Sequence, residues 1–269
     1  MIPRVLGRYF SSSATSEFFT QVTAGAKGLP RAGLYQSVVG NQMAKYYVRT
    51  ACPGFFDGLE AELPKGATAA LETLVASTQS DEYMTVLGHC SEKRFFEQWK
   101  LACSPAAQWK LDHVRSARID TLYAVIGALR GDSMKGKQFV ELFGQHFVVS
   151  PEFAASIKIP DFRQRATKCL PYLFADGAVV RARALVTVDQ QLKLGEGDWV
   201  KQENVEHLLT LELALTPRIG KQSMLASESI LELTEDPMKP GNWQIADANF
   251  ALSDNYPLEP PEGDSDDKK

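Results

Sequence analysis

Two stretches in the last third of the chain, "AVVRARALVTVDQQLKL" (178–194) and "NVEHLLTLELALTP" (204–217), alternate apolar and polar residues with a period of two. Successive side chains on a strand point to opposite faces, so this period fits a half-buried β-strand. In the first stretch Ala182, Ala184, Val186 and Val188 share one face, while Arg181, Arg183, Thr187 and Asp189 share the other. In the second, Val205, His207, Leu209, Leu211, Leu213 and Leu215 stand opposite Glu206, Thr210 and Glu212. Gly195-Glu196-Gly197-Asp198 supplies the turn between them. The chain therefore has to contain a long antiparallel hairpin with an apolar face to cover.

The cover comes from upstream. "ATAALETLVAS" (67–77) is a good helix former, and "DEYMTVLGHCSEKRFFEQWKLACS" from Asp81 reads as two short helices or one bent one. Ser91 is placed to cap the second, whose apolar face is Phe95, Phe96 and Trp99. A further short helix is expected from Leu34 to Arg49, through Leu34, Val38, Val39, Met43, Tyr46 and Tyr47. In "WKLDHVRSARIDTLYAVIGAL" the charges Arg115, Arg118 and Asp120 spread round any helical wheel, so one long strand or a strand pair fits better. Residues 131–175 read as an insertion with irregular or helical pieces, "SMLASESILEL" as a weaker strand and "NWQIADANFAL" as the last strand. These elements predict an α+β fold: N-terminal helices packed on a curved, four- to five-stranded antiparallel sheet. An extended arm with short helices is expected over 18–79, the α+β domain, which the resemblance given below implies to be cone-like, over 80–252, and a Pro-rich acidic disordered tail over 253–269.

The first residues, "MIPRVLGRYFSSSATSEFF", bear on the compartment. Arg4 and Arg8 are the only charges before Glu17, and Val5, Leu6, Tyr9 and Phe10 supply an apolar side. That pattern, basic, serine-rich and free of acids, is the pattern of a mitochondrial presequence, assigned here to residues 1–17. Arg8-Tyr9-Phe10-Ser11 suits cleavage near Phe10, with a second trimming site near Phe18. Pro3, Arg4, Gly7 and Arg8 interrupt the apolar run that a secretory signal needs.

Composition narrows the chemistry. With 33 acids against 29 bases the formal charge is −4, which counts against a main role in coating nucleic acid. No apolar run is long enough to suggest a transmembrane helix. Cys52, Cys90, Cys103 and Cys169 contain no C-x-x-C pair, and the four histidines complete no zinc pattern, so no metal or other cofactor is expected. There is no G-x-S-x-G, and Gly195-Glu196-Gly197 lacks a third glycine and carries an acid that would repel phosphate. Arg181 and Arg183, with Lys110, Arg115 and Arg118, read either as solvated strand faces or as a basic strip toward anionic lipid or another subunit.

The order of "RFFEQWK", "WKLDHVRSARIDTLYAVIG", "ALVTVDQQLKL", "WVKQENVEHLLTLELAL" and "NWQIADANF" resembles one known family. It is the cone-shaped domain shared by the matrix-side tether of the mitochondrial import motor and a large-subunit mitoribosomal protein, a branch of the nuclear-transport-factor-two-like superfold. Trp243, before Gln244 and Ile245, stands where that family's return strand begins with tryptophan. The resemblance covers roughly residues 80–252 as a hydrophobic skeleton; residues 131–175 and 217–241 are longer than a compact cone needs, and the acidic balance is unlike a ribosomal protein. It implies a non-catalytic protein docking on the matrix side of the inner membrane. The expected role is a structural accessory subunit of ATP synthase or a respiratory complex, whose partners are other subunits and anionic lipid at the membrane surface. The alternatives are a mitoribosomal subunit or import-motor tether, and a small-molecule-binding or isomerase-type cone. For the last, the resemblance to the superfold implies a general base inside the cone, with His207, Asp189 and Asp247 as candidates and a core histidine the commoner role for His207. His207, Trp243, Arg181 and Arg183 are the candidate pocket or interface residues.

Overall fold

Three strands of 17 to 20 residues form the spine of the molecule: β1 (Ala107–Ile126), β4 (Ala178–Leu194) and β5 (Val200–Pro217). In this computed structural model the described residues are 14–56, 58–103, 107–129, 137–149, 176–194, 197–218 and 238–252. The helices are α1 (Ala14–Thr23), α2 (Asn41–Ala51, entered through a π-helical turn at Gln36–Gly40), α3 (Pro53–Phe56), α4 (Leu59–Ala76), α5 (Asp81–Cys90) and α6 (Lys93–Ala102). The remaining strands are β2 (Gln138–Leu142), β3 (Gln145–Val149), β6 (Met238–Pro240) and β7 (Gln244–Ala248).

The hairpin read from the period-two alternation is present, with β4 and β5 antiparallel from Ala178↔Leu215 to Leu192↔Val200. β1 lies antiparallel on the other side of β4, and β7 and β6 pair antiparallel with β5. The α+β class and the helices packed on the sheet agree with the sequence reading. The sheet is wider than expected, however, with seven described strands, and it is mixed, because β3 runs parallel to β1 at Val125↔His146 and Ile126↔Phe147. The extra strands come from a β2–β3 hairpin inside the segment read as irregular or helical. Phe143 and Gly144 form its two-residue loop with φ of 53° and 71°. Such loops are usually announced by Asn-Gly or Asp-Gly, and Phe-Gly carries no such signal. The weaker strand expected at 223–233, residues 150–175 and the tail at 253–269 lie outside the described residues.

The curvature has a residue-level cause. The β1–β4 register shifts between Leu111/His113, Val114/Ser116 and Ile119/Thr121, so Asp112, Arg115 and Asp120 are extra residues in β1. Each bulge bends its strand and increases the local twist. These bulges also explain why no single period described this stretch. The Arg115 Nε donates to Asp189 Oδ1 and Oδ2 at 2.8 and 2.9 Å, and Asp189 faces a further bulge, where β5 carries one extra residue and both Glu203 and Asn204 stand opposite it between Val188↔Val205 and Gln190↔Gln202. Its Oδ1 also accepts from the backbone N–H of Asn204 at 2.9 Å, where Asn204 holds a φ of 54°. Asp189, a candidate base in the sequence, is thus a carboxylate tying two bulges together. The hydrogen bond from Arg115, and then that from Asn204, hold it below the ordinary carboxylate range.

One face of this sheet is covered by helices. α4 buries Leu59, Leu63, Ala67, Leu71 and Leu74, a stripe at helical spacing. In α6 the cap is Glu92 rather than Ser91: its carboxylate accepts from the N–H groups of Arg94 and Phe95 at 2.8 and 3.2 Å. Residues 18–79, expected as an arm, wrap their own domain, since Phe18, Phe19 and Val22 belong to the same core cluster as β4, β5 and β7. Phe19 stacks on Trp99 at 5.4 Å, Trp99 meets Trp109 at 6.4 Å, and Trp109 meets His207 at 5.2 Å. Gly25 lets the chain leave α1 against β5. Its φ is +81°, and a Cβ there would sit 2.6 Å from Val205 Cγ1. Cleavage near Phe10 leaves α1 whole, whereas the second trimming site near Phe18 would cut through it.

Truncating Phe19, which is 1% exposed, should therefore cost about 3–5 kcal/mol, while Tyr46→Ala, at 53% exposure, should stay within about 0.5 kcal/mol. Urea midpoints read at an unchanged slope check this. Equal midpoints for the two variants would remove α1 from the core.

Candidate functional site

His207 sits at the centre of a hydrogen-bond network that links α1 to three strands and to the turn after β7. Trp109 Nε1 on β1 donates to Gln190 Oε1 on β4 at 2.8 Å. The Gln190 amide donates from Nε2 to the Thr23 carbonyl at 3.0 Å and to Gln202 Oε1 at 2.7 Å. Asn249, just past β7, accepts at Oδ1 from the Leu208 N–H at 2.8 Å and donates from Nδ2 to the Val22 carbonyl at 2.7 Å. These partners orient both amides, and the amides in turn select the tautomer of His207. Its Nε2–H donates to Gln190 Oε1 at 2.8 Å, and its Nδ1 accepts from Asn249 Nδ2 at 3.1 Å. Burial pushes the His207 imidazole down to about 4, against a smaller opposite pull from the Val22 carbonyl. The ring is neutral at pH 7 with both nitrogens occupied, which makes it a structural histidine within the core.

Trp243 stands elsewhere. It is half-buried at the start of β7 and lines an open apolar groove of about 430 Å³ with Phe55, Leu59, Leu63, Gly66 and Val86. The groove separates α4 and α5 from the sheet edge, and its charged neighbour is Glu62.

Arg181 and Arg183 are brought together on the face of the sheet away from the helices. Cross-strand register builds two rows there, Thr121–Arg183–Thr210–Asp247 and Tyr123–Arg181–Glu212–Gln244. This face was expected to be solvated or to form a basic strip, yet Arg181 is 5% exposed, Tyr123 3%, Glu212 3% and Asp247 2%. Arg115 is engaged by Asp189 and Lys110 lies over the Trp199 ring, so the five cations form no continuous strip. Arg181 pairs with Glu212 through Nη2, and the Arg183 guanidinium lies 4.9 Å from the Phe250 ring centroid and 5.7 Å from that of Tyr123. Asp247 Oδ1 accepts from the N–H groups of Ala248 and Leu252 at 2.8 and 3.1 Å. Burial raises its carboxyl to about 7, only partly offset by those N–H groups and by Arg181. A carboxyl that titrates near neutrality beside buried arginines can hold or release a proton. No group of three His, Cys, Asp or Glu side chains suited to a metal occurs among the described residues.

A second feature lies on the surface. Of the apolar residues read over Leu34 to Arg49, Leu34, Val38, Val39 and Tyr46 are 82%, 55%, 36% and 53% exposed, and Tyr35 beside them is 54% exposed. The buried face of that helix is Gly40, Ala44, Tyr47, Val48 and Ala51. The π-helical turn shifts the register between its two halves, so periodicity read across the junction pointed the wrong way. Sequence reasoning also missed Gln190, Asn249, Thr121 and Tyr123. Gln190 and Asn249 were visible as polar residues ending apolar stretches, but only the register shows that they meet.

No family model matches this chain, and no curated protein matches it.

The two buried titrating groups oppose each other. The unfolded His207 takes up its proton near 6.5 and the folded one near 4, so its contribution to stability falls as pH drops through that window. Folded Asp247 holds its proton up to about 7 against 3.8 when unfolded, so its contribution falls as pH rises through that window. Asp247→Asn should leave the histidine slope alone, a loss on the order of 3 kcal/mol from pH 6.5 to 4. His207→Gln should leave the aspartate slope, a loss on the order of 4 kcal/mol from pH 4 to 7. Urea midpoints across pH read both slopes, and identical profiles in the two variants would contradict the assignment.

Proposed function

We propose that this protein is a non-catalytic accessory subunit docked on the matrix side of the mitochondrial inner membrane, within ATP synthase or a respiratory complex. The observation that carries the docking role is the exposed apolar helix face formed by Leu34, Tyr35, Val38, Val39 and Tyr46. It lies in a stretch from Phe18 to Phe56 that holds Lys27, Arg31, Lys45 and Arg49 and no acid, in a chain of net charge −4. Lys45 and Arg31 are paired with Glu60 and Glu206. A contiguous apolar face of this kind, bordered by cations, suits an acidic or apolar partner surface better than solvent. The presequence-like start and the resemblance to matrix-side docking domains supply the compartment.

Two further observations bear on the rival readings. The helix-facing side of the sheet is filled by Phe19, Phe95, Trp99, Trp109 and Leu71, and His207 is fully engaged, which favours a docking role over an isomerase-type cone. The buried Arg181–Asp247 cluster is the feature that favours a small-molecule role instead.

Comigration on native gels of detergent-solubilised mitochondria is the test. The tagged chain should run with ATP synthase or a respiratory complex, and Tyr35→Ser combined with Val38→Ser and Tyr46→Ser should release a folded monomer. Comigration with ribosomes, lost on nuclease treatment, would replace this reading with the mitoribosomal one. A free wild-type monomer would contradict both.

A further inference from the structure

We propose that the face of the sheet turned away from the described helices holds a binding site for a small oxyanion, a phosphate or a carboxylate, gripped by Arg181 and Arg183 with the hydroxyls of Thr121 and Tyr123. The two rows of cross-strand neighbours place these four side chains side by side, on β1 and β4. The Glu212 carboxylate engages Nη2 of Arg181, and the Nε and Nη1 groups of the same guanidinium have no protein partner. Arg183 Nε and Thr121 Oγ1 are likewise buried without a partner, and the Tyr123 hydroxyl, set beside the Arg181 guanidinium, has no acceptor for its own proton. Five donors thus converge on one region, and the one unpartnered acceptor among them is Asp247 Oδ2.

Buried polar groups are ordinarily hydrogen-bonded, and a cluster of unsatisfied ones calls for an explanation. Water would supply acceptors but not charge. Arg181 and Arg183 bring two positive charges to the cluster and Glu212 one negative charge, while Asp247 is half neutral near pH 7. The donor excess and the charge excess have the same sign, and an oxyanion answers both, since arginine forks match carboxylate and phosphate geometry. Asp247 in its protonated form adds a further donor at the opposite end of the row. His146, on the adjoining strand β3, titrates below its ordinary value chiefly through burial, with Glu141 opposing and Arg181 and Arg183 adding to the depression.

The mouth of the site is the Arg183 end, where Arg183 and Phe250 are half-exposed. Phe250 holds a φ of 52° beside Asn249 at 53°, a conformation that a bulky residue adopts only when its surroundings enforce it. Asp247 caps this turn through the Leu252 N–H, and the turn lays the Phe250 ring against the Arg183 guanidinium. The site stands apart from the docking face and needs no particular compartment.

The test is thermal unfolding of the full chain at pH 7 against sodium phosphate and, separately, sodium acetate, each matched to chloride at equal ionic strength. A saturable rise in Tm of about 3 °C or more at tenfold excess over Kd is expected with at least one of them. Response to phosphate alone identifies a phosphate site, and an equal response to acetate a carboxylate site. Arg183→Gln should abolish the rise while keeping its own unfolding transition. The paired variant Arg181→Leu with Glu212→Leu removes the second arginine without stranding its partner, and should also abolish the rise. Wild-type protein that responds to neither anion beyond chloride overturns the proposal. So does a rise that persists undiminished in Arg183→Gln, whether or not the paired variant folds.

Discussion

The amide of Gln190 is where the structure crosses itself. Through it and its neighbours Trp109, His207 and Asn249, helix α1 at one end of the chain is joined to β1, β4, β5 and the turn after β7 at the other. Every polar group in that network has a partner, so in the low-dielectric interior it holds one arrangement and penalises others. Removing one member leaves the rest buried and unsatisfied, at about 1–3 kcal/mol for each stranded group. The stacked aromatics Phe19 and Trp99 then close over it, so the network sets where α1 lies and the apolar packing makes that position firm.

A second constraint is the bulged ribbon. Asp112, Arg115 and Asp120 in β1, and one residue of the pair Glu203–Asn204 in β5, are each one more than a flat ladder needs. Each of these bulges bends and twists the ribbon that the helices cover. The opposite face carries two rows of polar side chains that are nonetheless buried. Pairing Arg181 with Glu212 neutralises one of the cations there. A buried ion pair of this kind adds little net stability against an apolar pair of the same volume.

Period-two alternation was strong enough in β4 and β5 to place both strands and the apolar face, and the helix formers at 67–77 and 81–102 announced the cover. The long strand β1 was half legible, because its bulges reset the period three times. The β2–β3 hairpin was hidden by a Phe-Gly loop, and the exposed face around Tyr35 by the π-helical turn. Of the site residues, Arg181, Arg183, Asp247 and His207 were named from strand position alone. Their roles were not legible, because alternation shows which side chains share a face but not whether that face is open to water. His207 and Asp247 differ in partners rather than in pattern: one has both nitrogens satisfied, the other keeps an oxygen without a partner.

Nitrogen-15 NMR of the His207 ring tests this account most directly. A neutral imidazole protonated at Nε2, unchanged from pH 7 down to pH 5, is the result that the network requires. A ring protonated at Nδ1, or one that becomes charged near its ordinary value of 6.5, would contradict it.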